Sequence, residues 1–190
     1  KISNKIFSYP MKGTAQRSTN KEKDREYKYN LEQSIKDKAE HLMIVDLIRN
    51  DLGKISNFGS VKVKQMYKIE SYETVHQMIS CVYGTLKKNI KESNIIEALF
   101  PGGSITGAPK ESAMKIIDNL ENYSRNIYTG SIGFIKSDGN MSFNIPIRTM
   151  TIKNNEAVYP VGGGIVWDSN FKEEWDEAQI KSKILSYIES

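Results

Sequence analysis

Apolar positions along the chain follow two rhythms, one helical and one alternating, and both are interrupted by glycine clusters. From Leu31 the spacing is helical, through Ile35, Leu42, Met43 and Val45 to Ile48, with Gly53 as the expected stop. Ahead of it, Lys5 to Tyr9 is a short strand candidate. Residues 17–30 alternate in charge with little apolar surface, and read as a loop or helix-entry segment. Downstream, Val61 to Ile69 and Val75 to Leu86 read as strands, the second placing His76, Met78 and Val82 on one face. Asn94 to Phe100 is a short helix. Apolar residues at 113, 114, 116, 117 and 120 predict another over 111–120, with Pro109 suited to its first turn. The pattern then turns β-rich. Ile127 to Ile135 reads as a strand thinned by glycines, Asp138-Gly139 as a hairpin turn, and Met141 to Ile152 as a strand. Ala157 to Val161 leads into Gly162-Gly-Gly-Ile-Val166, and Phe171 to Ile188 closes the chain as an amphipathic helix with Trp175, Ile180, Ile184 and Ile188 inward.

The densest interruption is Pro101-Gly-Gly-Ser-Ile-Thr-Gly-Ala-Pro-Lys110, set directly before a helix. Such a turn brings backbone N–H groups and the helix dipole to one place, which suits an anion. It is not a nucleotide-phosphate loop, because Ala108-Pro109 stands where Lys-Ser/Thr is required. A capped loop without a ligand explains it about equally well. Alone, the loop implies at most a nearby carboxylate or phosphate.

Composition narrows the classes. The 190 residues suffice for one large domain with a substantial core, and the hydrophobic and charged fractions, 38% and 26%, are those of a folded globular chain. The net charge of +4 tolerates anionic small molecules, and no basic, aromatic-interleaved stripe points to nucleic acid. The single cysteine, Cys81, excludes an internal disulfide and fits a reducing, cytoplasmic setting. No apolar run approaches the length of a membrane span.

Candidate chemistry lies in carboxylates. Asp37 and Glu40 are spaced i,i+3 on one predicted helix, and Glu174 and Glu177 repeat the spacing on another. Carboxylates on facing helices can hold a hard cation such as Mg2+, leaving positions for water and an anionic substrate. For Glu177, with Lys181 four residues on, a solvated ion pair is the plainer account. Asp46, inside the apolar run Ile44 to Ile48, needs a partner, for which Arg49 or the turn at residues 50–53 serves; that set reads as structural. One cysteine and two histidines make no zinc set, and neither a nucleophile elbow nor a dinucleotide fingerprint occurs. A lysine at 12, a histidine at 76, Tyr128, Arg148 and Lys181 complete an inventory suited to a small polyanionic metabolite.

Three stretches then carry a resemblance: the glycine loop 101–110, Ala39-Glu-His-Leu-Met-Ile-Val-Asp-Leu-Ile-Arg-Asn-Asp51, and Gly162-Gly-Gly-Ile-Val-Trp-Asp-Ser169. Together and in this order they resemble the chorismate-utilising enzymes, which include anthranilate, aminodeoxychorismate, isochorismate and salicylate synthases. Pro10-Met-Lys-Gly-Thr14 is similar to the Pro-Ile-Lys-Gly-Thr signature of the aminodeoxychorismate synthase component I branch, where anthranilate synthases generally have alanine for the lysine. The resemblance implies an α+β fold of two packed β-sheets flanked by helices. It implies Lys12 as nucleophile toward the chorismate ring, with ammonia from a glutamine amidotransferase partner, and His76 near the leaving hydroxyl. Glu40 and Glu177 match Mg2+ ligands, with Asp37 and Glu174 at the partner positions. Asp37 departs from the usual glutamate, and its shorter reach disfavours direct coordination. Tyr128 and Arg148 match residues on the enolpyruvyl carboxylate, and Thr106, the amides of Gly162, Gly163 and Gly164, and Lys181 line the pocket.

The usual enzyme is about twice as long. On this reading residues 1–190 form one chorismate-binding catalytic domain that lacks its N-terminal part. The missing part includes an upstream segment with a general-acid glutamate, so the piece alone is expected to be inactive. Other synthases of the family, disfavoured by Lys12, and a non-catalytic Mg2+- and anion-binding remnant are the alternatives.

Overall fold

The structure, a computed structural model, describes residues 1–167 and 169–183. Asp168 of the third stretch, and Ile184 and Ile188 of the last expected helix, lie outside these residues.

Strands β1 (Lys5–Ser8) and β2 (Met11–Gln16) lead into helices α1 (Lys21–Gln33) and α2 (Ile35–Ile55), then β3 (Lys62–Ser71) and β4 (Val75–Thr85). Helix α3 (Glu92–Leu99), a 3-10 turn at Gly103–Ile105 and helix α4 (Lys110–Leu120) follow. Two hairpins, β5–β6 (Ile132–Ile135, Met141–Asn144) and β7–β8 (Thr151–Lys153, Glu156–Val158), precede α5 (Phe171–Ser182). This is the α+β architecture expected. Strand β4 pairs antiparallel with β1, β2 and β3 in a four-stranded sheet, and the β-rich second half forms two-stranded ribbons.

The charged segment after Arg17 is more than a helix entry. Asn20 caps α1 by accepting from the amides of Glu22 and Lys23, and Leu31 buries the one apolar anchor. Ser34 ends α1 in an extended conformation and caps α2 through its hydroxyl, so two helices meet where one pattern began. Gly53 does not stop α2. Leu52 and Ile55 on either side are buried, and that packing carries the helix through the glycine to Ser56. Along α2 the residues His41, Ile44, Val45, Leu52 and Ile55 face the sheet. The core joins Val45, Leu52 and Ile55 to Ile6, Val82, Leu86, Ile95 and Met141.

Gly84 of β4 lets that helix end approach. A Cβ there would lie 2.5 Å from the buried Ser56 Oγ. Gly84→Ala is expected to destabilise the fold by about 1–3 kcal/mol, the range for overpacking, as a lower urea midpoint; an unchanged midpoint would contradict this packing.

Elsewhere the pattern broke up. Residues 127–130 are turns, because Gly130 and Thr129 bond back to Ile127 and across to Pro146 instead of continuing a ladder. The strand expected over 141–152 is cut at Asn144 by Pro146, which has no N–H for a ladder. Among the described residues, α4 and α5 bury none of theirs, and Trp175 and Ile180 are 57% and 62% exposed rather than inward. Asp46 bonds Arg49 at 2.8 Å but both are half exposed. The buried carboxylate is Asp51, held by Lys54 at 2.9 Å and by Lys110 at 2.6 Å. The Lys110 bridge and the packing of Leu47 on Gly103 fasten the glycine loop to α2. No described helix is long and apolar enough to cross a membrane.

Candidate functional site

Lys12 lies on β2 between Pro10 and Gly13, and its Nζ meets Glu40 Oε2 of α2 at 2.9 Å. Gly13 adopts φ +90, and a Cβ there would stand 3.2 Å from the Asp37 side chain, so this backbone and the first turn of α2 fit only without a side chain. The strand carbonyl at Lys12 is tied as well. The fully buried His41 donates from Nδ1 to Lys12 O at 3.2 Å, and its Nε2 bonds Ser80 Oγ at 2.7 Å. Burial pushes the His41 imidazolium down from its ordinary value, so the ring is a neutral spacer between α2, β2 and β4. Sequence reading missed His41. Its place beside Glu40 on the inward stripe with Ile44 and Val45 was the available signal.

Across from Lys12, Glu177 of α5 takes Lys181 Nζ at 2.6 Å. That ammonium holds the Glu177 carboxyl below its ordinary range, and the charges of Lys12 and Lys36 add to it, so the field of β2 and the start of α2 reaches α5. Lys181 also donates to the Gly162 carbonyl at 2.9 Å. The Gly162–Gly164 stretch runs between these groups. A Cβ at Gly163 would lie 2.9 Å from Glu174 Oε2 and 3.8 Å from Glu177 Oε2, and one at Gly162 would lie 3.0 Å from the Tyr128 hydroxyl. Burial raises the Tyr128 phenol above its ordinary value, which keeps it a hydrogen-bond donor.

Other expected members stand apart. His76 is buried, but its Nε2–H donates to Asp24 Oδ1 at 3.1 Å and its Nδ1 shares a hydrogen bond with Ser71 Oγ at 2.9 Å. Thr106 Oγ1 turns back onto the carbonyls of Gly102 and Gly103 at 3.0 and 3.4 Å. Arg148 is exposed, has φ 52, and makes no hydrogen bond or ion pair to any other described residue.

The partner of His76 carries a testable consequence. Arg17 forks Asp24 at 2.8 and 3.1 Å, and the Ser18 amide adds a bond, so the Asp24 carboxyl titrates far below its ordinary 3.8. A depressed folded-state value stabilises above the unfolded value, and that contribution fades as pH falls through the acid range. Acid unfolding followed by circular dichroism should therefore begin below about pH 4 and be shallower in Asp24→Asn. Identical acid limbs would show that this cluster contributes nothing.

No three of the His, Cys, Asp and Glu side chains among the described residues converge into a ready coordination sphere. The donors still fit a hard cation in kind. Glu40 and Glu177 each neutralise an ammonium, and Glu174 Oε2 is buried without a hydrogen-bond partner among the described residues, while Oε1 accepts from Ser169 at 2.6 Å. A buried carboxylate oxygen with no donor is a position that a cation satisfies.

The chain is 46% identical over 182 residues to anthranilate synthase component 1 of Saccharolobus solfataricus, covering 96% of this chain and 43% of the relative. It is 44% identical over 185 residues to aminodeoxychorismate synthase component 1 of Escherichia coli, covering 97% and 41%. The chain thus spans about two fifths of the length of these relatives. The crystal structure of anthranilate synthase component I from Streptococcus pneumoniae superposes with a TM-score of 0.85 at 36% identity, over 95% of this chain and 39% of that one. The menaquinone-specific isochorismate synthase of Escherichia coli, at 21% identity and a TM-score of 0.84, shares the fold. The family described as chorismate binding enzyme matches residues 1–187, nearly the whole chain, and to that family the chain belongs.

Proposed function

We propose that this chain is the chorismate-binding portion of an aminodeoxychorismate synthase component I, working with a glutamine amidotransferase in a cytoplasmic setting to place an amino group at C4 of chorismate. One observation carries the choice of branch. A lysine, Lys12, stands on β2 where its ammonium reaches the carboxylate face of α2 at Glu40. On this reading the Lys12 amine, once deprotonated, forms a C–N bond to the ring while the C4–O bond breaks. The 4-hydroxyl leaves as water with a proton from a general acid. Ammonia then displaces the lysine, which departs with its bonding pair and regains its amine form. Splitting one displacement into two is covalent catalysis.

Glu40, Glu177, Glu174 and Asp37 would hold Mg2+, which supplies positive charge for the ring carboxylate. Tyr128 donates to the enolpyruvyl carboxylate, and the Gly162–Gly164 backbone approaches the substrate because no side chain intervenes. For Arg148 to join, its exposed side chain must turn in, which its lack of partners among the described residues permits. His76, held by Asp24 and Ser71, acts in this scheme on the leaving hydroxyl only after one of those bonds opens.

The second reading, anthranilate synthesis, is favoured by the 46% identity to an enzyme of that name. Product chromatography distinguishes them. The polypeptide, extended with the remainder of the family's length, is given chorismate, Mg2+ and a high ammonium concentration. Aminodeoxychorismate as product supports the proposal, and anthranilate as the sole product overturns it.

A further inference from the structure

Arg125 lies in the irregular segment between α4 and β5 and joins the end of α4, the glycine loop and Thr129. Its Nε and Nη2 fork Glu121 Oε2 and Oε1 at 2.7 and 2.6 Å, which anchors the guanidinium to the end of α4. The remaining nitrogen, Nη1, donates to the Ile105 carbonyl in the glycine loop at 3.2 Å and to Thr129 Oγ1 at 3.3 Å. The Arg125 carbonyl accepts the Tyr128 amide at 3.0 Å.

Thr129 is the unusual member. It is β-branched yet sits at φ 60, in the left-handed region that such residues avoid. Its hydroxyl donates to the Tyr128 carbonyl at 2.6 Å, and its amide to Pro146 O at 2.9 Å. A strained residue persists only where its surroundings over-determine it, and here Arg125 is one of those surroundings. The result is a fixed 128–129 peptide that sends the Tyr128 hydroxyl to Gly162. A surface ion pair would explain the Glu121 fork, but not the two further bonds into separate loops. The pair is also largely covered, with side chains 24% and 26% exposed.

We infer that Arg125 is a positioning residue that locks the glycine loop and the Tyr128–Thr129 peptide together, so that Tyr128 keeps a fixed relation to the Gly162–Gly164 backbone. The inference rests on the proposed function, in which Tyr128 faces chorismate. It assigns Arg125 no contact with substrate, because each of its three nitrogens is already directed to Glu121, Ile105 or Thr129. Lysine cannot replace it, since a point charge lacks the planar fork that serves three partners at once.

The test is a double-mutant cycle read by calorimetric chorismate affinity with Mg2+ present, on the full chain. Tyr128→Phe and Arg125→Met are each expected to weaken binding by about tenfold, and the double variant by about tenfold as well, rather than the hundredfold of independent sites. Arg125→Lys should keep the urea midpoint near the wild type and still lose the affinity. Should Arg125→Met fail to fold, Arg125→Lys and Glu121→Gln complete the same cycle. Additive losses, or wild-type affinity in the Arg125 variants while Tyr128→Phe is impaired, would overturn the positioning role. Wild-type affinity in Tyr128→Phe would overturn the chorismate reading of Tyr128 itself, and the inference with it.

Discussion

Lys12→Ala is expected to lower aminodeoxychorismate formation by about three orders of magnitude or more, the scale of losing a covalent nucleophile. The measurement is product chromatography on the extended polypeptide with ammonium as the nitrogen source. The reason is specific to the amine. Alanine removes the group that forms the ring C–N bond but leaves the Glu40, Glu174 and Glu177 carboxylates and the Gly162–Gly164 backbone in place. Chorismate binding should therefore survive, and anthranilate-type or isochorismate-type products should appear instead. The ion pair with Glu40 makes a second contribution to the outcome, because the variant leaves that carboxylate without its ammonium. Lys12→Arg separates the two effects: it keeps a cation on Glu40 but cannot act as a nucleophile at neutral pH. An undiminished rate of aminodeoxychorismate formation in Lys12→Ala would end the nucleophile assignment.

Glu40→Gln and Glu177→Gln are each expected to weaken Mg2+-dependent chorismate binding by at least about a hundredfold, beyond what loss of a supporting contact costs. Both side chains lie in charge-matched, partly covered positions, and each now holds an ammonium rather than water alone. Glutamine keeps the shape and removes the charge, so urea midpoints should move little, as for exposed ion pairs worth at most about 1 kcal/mol. Calorimetry with and without Mg2+ isolates the metal-dependent part. Glu174→Gln supplies an internal check. Its Oε2 is buried with no partner among the described residues, so if no cation belongs there the amide should be tolerated or even stabilising, whereas a metal ligand would show the same binding loss as Glu177→Gln. Unchanged Mg2+-dependent binding in all three variants would remove the metal from the mechanism.

Particular residues show where sequence reading succeeds and where it stops. The two i,i+3 carboxylate pairs were legible because helix periodicity alone puts positions three apart on one face. The Glu177–Lys181 pair was legible for the same reason, and it forms at 2.6 Å. His41 was not singled out. A histidine on an inward helical stripe looks like filling, and only its meeting with Lys12 O and Ser80 Oγ, on two different strands, gives it a positioning character. The same holds for Asp51, overlooked in favour of Asp46. Which of two carboxylates five residues apart on a helix is buried depends on the approach of Lys110 from the glycine loop.

What the sequence by itself determined is local and periodic: the positions of α2, α3 and α4 within a few residues, β3 and β4, the Asp138-Gly139 turn, and three motif stretches whose order identifies a family. These follow from hydrogen-bond geometry and side-chain spacing within a single segment. Tertiary structure alone decided the rest. It carried α2 past Gly53, because Leu52 and Ile55 gain more by burial than a glycine in a helix costs. It turned His76 toward Asp24 and Ser71, set Lys12 on Glu40, and brought the Gly162–Gly164 backbone against Tyr128, Glu174 and Glu177. Each of those contacts joins residues of different elements or loops, and no periodicity within one segment reports on a distance that only packing fixes.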